Sequence, residues 1–268
     1  MGSLEFPRIR LDLEGGVATL TLAHPEVLNA ISPEMLGGLL DALDALDALE
    51  DPAHQVRCLL ITGAGRGFSA GANLAGGGPS ARQRDPGSVL ETHYHPVFRR
   101  LRDLRMPIVS AVNGVAAGVG MSLALMGDMV LAARSAYFLQ AFRRIGLVPD
   151  GGATWLLPRL IGTARAKELS LLGERLPAAQ ALDWGLINRV YADEDLMREA
   201  RTLAAELAAG PTRSLAGIRR LYWASPDNTY EQQLDLERSL QREAGRTQDA
   251  REGVQAFLDK RKPVFRGA

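Results

Sequence analysis

The chain has 268 residues, with 31 lysines and arginines balanced by 31 aspartates and glutamates, so it carries no net charge. That neutrality gives no bulk attraction to nucleic acid or to an acidic membrane surface, and the length suits one domain of ordinary to large size, or one domain with an appendage. Hydrophobic residues make up 46 % and aromatic residues only 6 %, so alanine, leucine and valine must fill the core.

In chain order, Met1–Pro7 has neither a basic n-region nor an apolar h-region, and no secretory signal is expected. Arg8–Leu13 and Val17–Leu22 flank Glu14-Gly15-Gly16 and predict a hairpin. Ser32 and Pro33 suit the N-cap and first turn of a helix. Leu36, Leu39, Leu40, Leu43 and Leu46 then share one face, with Asp41, Asp44 and Asp47 off it. Asp51-Pro52 should end that helix. Val56–Thr62 predicts a strand and holds Cys58, the one cysteine, which reads as a buried inert thiol in a reducing, cytoplasmic setting. Leu74–Ser88, rich in glycine, proline and arginine, predicts a mobile loop.

A helix over about Val89–Arg105 follows, then a buried strand at Ile108–Val112. Ala116–Met126 reads as a buried helix and Met129–Ala133 as a strand. Asn113, Ser122, Asp128 and the glycines argue against a membrane span in Ile108–Ala133. After Gly162 the pattern is mostly helical. The composition changes near Gly210-Pro211, and three amphipathic helices rich in Arg, Gln and Glu follow. The expected division is therefore a core over residues 1–205 and a helical region over 206–268. No sequence repeat is visible.

Three segments carry the chemistry. They are Gly63-Ala-Gly-Arg-Gly-Phe-Ser-Ala-Gly-Ala-Asn-Leu74, Asn113-Gly-Val-Ala-Ala-Gly-Val-Gly120 and Gly146-Leu-Val-Pro-Asp-Gly-Gly152. Each of the first two follows a β-branched run, so small residues stand where a strand ends and leave backbone N–H groups open to a ligand. Two such loops can aim two N–H groups at one oxygen, and Asp150 is a candidate for proton transfer. The plainer alternatives are close helix–strand packing by the glycines and helix capping by Asp150. Gly67-Phe-Ser69-Ala-Gly71 also matches the nucleophile elbow of hydrolases. Such a serine needs a downstream histidine, and the four histidines, His24, His54, His93 and His95, all lie in the first part of the chain. A dinucleotide fingerprint is broken by Leu123, and no phosphate-loop Gly-Lys-Ser/Thr occurs.

Together these segments resemble the crotonase family, the enoyl-CoA hydratases and isomerases. The resemblance extends to His24-Pro-Glu-Val-Leu-Asn-Ala30, Trp155-Leu-Leu-Pro-Arg-Leu-Ile-Gly162, Ala181-Leu-Asp-Trp-Gly-Leu-Ile-Asn-Arg-Val190 and Phe257-Leu-Asp-Lys-Arg-Lys-Pro-Val-Phe265. It implies an α/β fold, a crotonase-like spiral of β-β-α turns with a helical C-terminal trimerisation layer, in a homotrimer or dimer of trimers. It implies an acyl-CoA substrate, no metal, and no cofactor beyond the coenzyme A that is part of the substrate. No nucleic-acid or membrane partner is expected.

By the same resemblance, the N–H groups of Ala72 and Val119 hold the thioester oxygen. Asn73 stands where the family usually has aspartate, and Val119 where glycine is commoner. Hydratases of the family use two glutamates, and their places hold Ser122 and Phe142. That leaves Asp150, whose Pro149-Asp-Gly-Gly152 setting resembles the family's isomerases, including those that rearrange a ring epoxide. Leu28, Ala70, Asn73, Leu74, Gly118 and Phe142 are expected around the substrate, with Tyr94, Phe98 and Phe138 completing an aromatic lining. His95 occupies the place of a histidine in relatives that displace halide from aromatic thioesters; its plain reading is a half-exposed polar residue. His93 and His95 are two apart on a helix and do not share a face, which makes a poor metal pair. Lys260 and Phe265 resemble the segment that reaches the nucleotide end of CoA in a neighbouring subunit. Arg66, Arg143, Arg144, Arg261 and Lys262 are phosphate candidates, each equally an ordinary surface residue. The expected activity is acyl-CoA isomerisation. A hydratase, a dehalogenase or hydrolase, and a non-catalytic CoA-binding homologue stay open.

Overall fold

The computed structural model describes residues 2–48, 56–74 and 85–268. The chain opens with β1 (Gly2–Phe6), β2 (Ile9–Glu14) and β3 (Val17–Leu22), an antiparallel meander in which Leu11 faces Leu20. The hairpin was legible; β1 was not, because its side chains are largely exposed. Helix α1 (Pro33–Ala48) starts as Ser32 predicts, its Oγ accepting from Met35 N at 3.2 Å. Leu36, Leu39, Leu43 and Leu46 are buried on its inner face, and Leu40 is half-buried. The helix end at Asp51-Pro52 and most of the Leu74–Ser88 loop lie outside the described residues.

From here the chain alternates between two sheets. Strands β4 (Cys58–Gly63), β6 (Ile108–Val112) and β8 (Met129–Ala133) join β3 in parallel. Each of β4, β6 and β8 is followed by a three-residue strand of a second sheet: β5 (Gly67–Ser69), β7 (Val115–Ala117) and β9 (Tyr137–Leu139). Later strands β10 (Arg175–Pro177) and β11 (Arg189–Tyr191) complete the two sheets, whose orders are β1-β2-β3-β4-β6-β8-β11 and β10-β9-β7-β5. A strand of each sheet and then a helix, repeated, is a spiral of β-β-α turns. The continuous apolar runs of β4 and β6 are what a parallel sheet covered on both faces requires.

The helices fill the turns. Helix α2 is composite: a short turn capped by Asp85 (Pro86–Val89), a π-wound segment (Leu90–Tyr94) and a regular part (His95–Asp103). The helix expected over Ala116–Met126 is corrected. Val115–Ala117 pairs with β9, and Gly118, at φ 52° and ψ −128°, breaks the chain before a six-residue helix α3 (Val119–Ala124). All six residues of α3 are buried against both sheets. Helix α4 (Ala153–Leu172) is interrupted at Gly162, whose φ of 76° is not helical.

Helices α5 (Ala178–Asp183) and α6 (Leu196–Ala208) follow, and α6 packs across β3, β4, β6 and β8. It runs through residue 205. Three further helices, α7 (Thr212–Ala224), α8 (Tyr230–Ala244) and α9 (Gln248–Leu258), form the C-terminal layer. Two arginines tie this layer to the core. Arg57 donates to Thr212 Oγ1 at 2.8 Å, to Phe265 O at 3.1 Å and to Gly210 O. Arg219, buried on α7, pairs with Asp128 at 2.6 Å and donates to Leu101 O and Leu104 O at the end of α2. Among the described residues no helix is long and apolar enough to cross a membrane.

Candidate active site

The first loop is shaped by a residue outside the glycine pattern. Leu28 and Asn29 both take left-handed conformations, φ 52° and 54°, which asparagine tolerates better than most residues. The turn buries Asn29 completely. Its Nδ2 donates to Ala64 O at 2.9 Å and Gly67 O at 2.8 Å, while its Oδ1 accepts from His24 N at 2.9 Å. Ser69 Oγ donates to Asn29 O at 2.8 Å and accepts from Gly71 N at 3.3 Å. Ser69 is thus a fully buried joint between two loops, and no longer a candidate nucleophile.

These bonds aim Ala72. Gly71 O accepts from Ile31 N at 2.7 Å and Asn73 N donates to Ile31 O at 2.8 Å. Ala72 is the centre of this isolated parallel bridge. Its neighbours' polar groups are used on one side, so its own N–H points to the other and takes no partner among the described residues. Gly71 has a φ of 94°, and a Cβ there would sit 2.8 Å from Ala117 O. The first loop is therefore pressed against the second, beside Gly118.

In the second loop Gly118 N donates to Leu139 O at 2.8 Å. Val119 is the first residue of α3, where an N–H has no intrahelical acceptor. Its side chain is buried, so it joins the core and leaves the N–H open. A Cβ on Gly120 would meet Ser69 Oγ at 2.6 Å, so α3 can approach β5 only because glycine is there.

Asp150 completes the group from a third segment. Gly151 and Gly152 follow at φ 58° and 80°. A Cβ on Gly151 would lie 2.8 Å from Ser122 Cβ and 2.9 Å from Phe98 Cζ. Ser122 Oγ donates to the Asp150 carbonyl at 3.0 Å, so Ser122 holds the turn that carries the acid. The Asp150 side chain does not cap α4, whose N-cap is Gly152 without any side-chain bond. Its Oδ1 is buried and unpartnered among the described residues. Burial pushes the carboxyl up to about 6. A buried acceptor left without a donor lowers stability, and such perturbed acids concentrate at functional sites. Tyr94, buried on the π-wound segment, is raised to about 12 by burial and then by the charge of Asp150.

Other expected positions fall in three groups. Ala70, Asn73 and Leu74 lie on the first loop and Leu28 on the turn beside it, with Ala70 N donating to Leu28 O at 2.9 Å and Leu74 exposed. Phe142 is buried with its ring against Gly118. His95, half-buried, starts the regular part of α2. Phe138 is fully buried in the core and cannot line a pocket. Arg143 and Arg144 donate to the carbonyls of Leu171, Leu172 and Gly173, closing the end of α4 instead of reaching a phosphate. Arg261 forms a two-bond pair with Glu252 at 2.7 and 2.9 Å. Lys260, Lys262 and Arg66 are exposed. Phe265 is half-buried against Gly253 of α9. Asn29, Ser122 and Tyr94 are the positions that residue patterns did not single out for these roles. The αL-prone asparagine inside Leu28-Asn29-Ala30 was the one available signal.

Two open main-chain donors and an unpaired carboxyl, brought together by three loops, can stabilise an oxyanion and move a proton beside it. The whole chain fits that class. Residues 12–268 match the family described as Enoyl-CoA hydratase/isomerase. The chain is 50 % identical over 257 residues to the 1,2-epoxyphenylacetyl-CoA isomerase of Escherichia coli (strain K12), covering 95 % of this chain and 97 % of that protein. It is 40 % identical over 264 residues to a probable enoyl-CoA hydratase of Rhodobacter capsulatus, covering 98 % and 100 %. Among solved structures, an enoyl-CoA hydratase from Polaromonas sp. JS666 superposes with a TM-score of 0.88 at 37 % identity, covering 96 % of this chain and 99 % of that one. The protein is an enzyme of the enoyl-CoA hydratase/isomerase family, with the crotonase fold.

Proposed function

We propose that the protein isomerises an acyl-CoA thioester, with Asp150 as the one acid–base side chain and the N–H groups of Ala72 and Val119 as the oxyanion donors. The observation that carries this reading is the unpaired, buried Asp150 carboxyl beside two open main-chain donors, with Ser122 and Phe142 standing where paired glutamates would be needed for hydration. In the proposed reaction the thioester oxygen accepts both N–H groups, the α-proton passes to Asp150, and the enolate is held by the donors. Asp150 then returns the proton at the γ-carbon, moving a β,γ double bond to α,β. With a ring epoxide on an aryl-acyl-CoA, the substrate type in the name of the E. coli relative, the same polarised thioester assists ring opening and rearrangement. One carboxylate suffices, since the proton leaves and returns to the same molecule, and no resident cofactor is needed.

The proposal extends to a homotrimer or dimer of trimers in the cytoplasm. Ile218, Tyr222, Leu234 and Phe257 leave apolar surface exposed on the C-terminal layer, and Cys58 is a buried free thiol.

Proton NMR in deuterated water, with a 3-enoyl-CoA and 1,2-epoxyphenylacetyl-CoA, tests the reading. Double-bond migration with deuterium at the α- or γ-carbon, or rearrangement of the epoxide, is the expected result, lost in a folded Asp150→Asn variant. A 3-hydroxyacyl product, or near-normal turnover by Asp150→Asn, would overturn it.

A further inference from the structure

Tyr94 is a polar group that the proposed proton transfer does not use. Its side chain is only 7 % exposed, and its hydroxyl takes no hydrogen-bond partner among the described residues. It closes the π-wound turn of α2, an irregularity that frequently marks functional sites. Phe98 lies one helical turn further on, the spacing that places two side chains on the same face, and its ring abuts Gly151 beside the acid. That face of α2 is therefore turned toward Asp150. The charge of Asp150 is felt at the Tyr94 hydroxyl, and burial keeps that hydroxyl protonated well above neutral pH. The Asp150 Oδ1 atom is buried and unpartnered among the described residues, and the hydroxyl of the largely buried Tyr94 lies near enough to feel its charge without bonding it. Two groups whose environments hold one as a base and the other as a neutral donor form a division of labour seen at acid–base sites.

We propose that Tyr94 is a second catalytic group, whose neutral hydroxyl donates a hydrogen bond to an oxygen borne by the acyl group near its α-carbon. It would select acyl chains carrying an epoxide, ring ether or similar oxygen over plain enoyl chains. The hydroxyl keeps its proton throughout; it steadies charge that grows on that oxygen as a carbon–oxygen bond loosens. This specificity deepens the isomerase reading and rests on it for the thioester ligand.

The test separates the two. Binding of 2-methoxyphenylacetyl-CoA and 2-ethylphenylacetyl-CoA, which differ by an oxygen for a methylene, is measured by calorimetry on the wild type and on Tyr94→Phe. The wild type should prefer the methoxy compound about 3- to 10-fold, the range of one net hydrogen bond, and Tyr94→Phe should lose that preference. Turnover is then compared for 1,2-epoxyphenylacetyl-CoA and a 3-enoyl-CoA. Tyr94→Phe should lower kcat/KM for the epoxide at least about tenfold more than for the 3-enoyl-CoA. A methoxy preference that survives Tyr94→Phe, or an equal loss on both turnover substrates, overturns the proposal. If the wild type turns over neither substrate yet shows the tyrosine-dependent preference, the isomerase reading fails and the role of Tyr94 as an oxygen-selecting donor stands.

Discussion

Asp150 couples stability to activity through one proton. Burial raises its carboxyl from 3.8 to about 6, so the fold disfavours the ionised form that the proposed reaction needs. The penalty is fully present above pH 6 and vanishes below about pH 4, where folded and unfolded chains are both protonated. Asp150→Asn should therefore raise Tm at pH 8, by about 2–4 °C for each kcal/mol relieved, and the gain should disappear in melts at pH 4. Over the same range kcat of the wild type should climb to a plateau with an inflection near pH 6. A flat profile would mean that another group takes the proton. Gly71→Ala and Gly118→Ala test the donors, because both positions hold conformations that a Cβ strains. A fall in kcat of about 10²–10³-fold is expected from the loss of one donor, with coenzyme A affinity by calorimetry changed far less.

Among the elements, the loops depend on side chains that never meet the substrate. Asn29→Ala would strand Ala64 O, Gly67 O and His24 N, and each unsatisfied buried group costs about 1–3 kcal/mol. Urea unfolding should show that loss, with kcat falling alongside it as the first loop loosens. Ser69→Ala removes two hydrogen bonds and should lower stability by about 1–3 kcal/mol while most turnover survives; abolished turnover in a folded variant would reinstate it as a nucleophile. The longer elements were readable because periodicity needs length: α1 shows a leucine face, and β4, β6 and β8 are apolar runs. The three-residue strands β5, β7 and β9 are too short to show a period and exist through their parallel partners. That is why Val115–Ala117 read as part of a helix. Arg143 and Arg144 misled for a related reason, since a guanidinium that ends a helix and one that meets a phosphate look alike in a sequence. The loops that carry Ala72, Val119 and Asp150 stood out by their clustered glycines, while Ala72 and Val119 themselves came from the family resemblance and not from the glycines. Tyr94 was legible only as an aromatic, because its tie to Asp150 crosses 56 positions of sequence.

At the scale of the whole molecule, the C-terminal layer hangs on few polar anchors. Arg219→Ala would take the cation from the partly exposed Asp128 and strand Leu101 O and Leu104 O, and each unsatisfied buried group costs about 1–3 kcal/mol. Denaturant titration should show this, and apolar-dye binding should rise if α7 peels from the core. The helices after Gly210-Pro211 were visible from composition, whereas the spiral was not, because its turns share a path and no common residue pattern. The spiral also bears on what this scaffold can become. The proposed grip on the thioester oxygen is written in main-chain N–H groups, which at the donor positions themselves only a proline would delete, while positions 122, 142 and 150 lie around it as interchangeable side chains. A lineage can therefore exchange its acid–base residues one at a time without ever losing hold of its ligand, so new reactions on acyl thioesters lie a few codons away while the framework stays untouched.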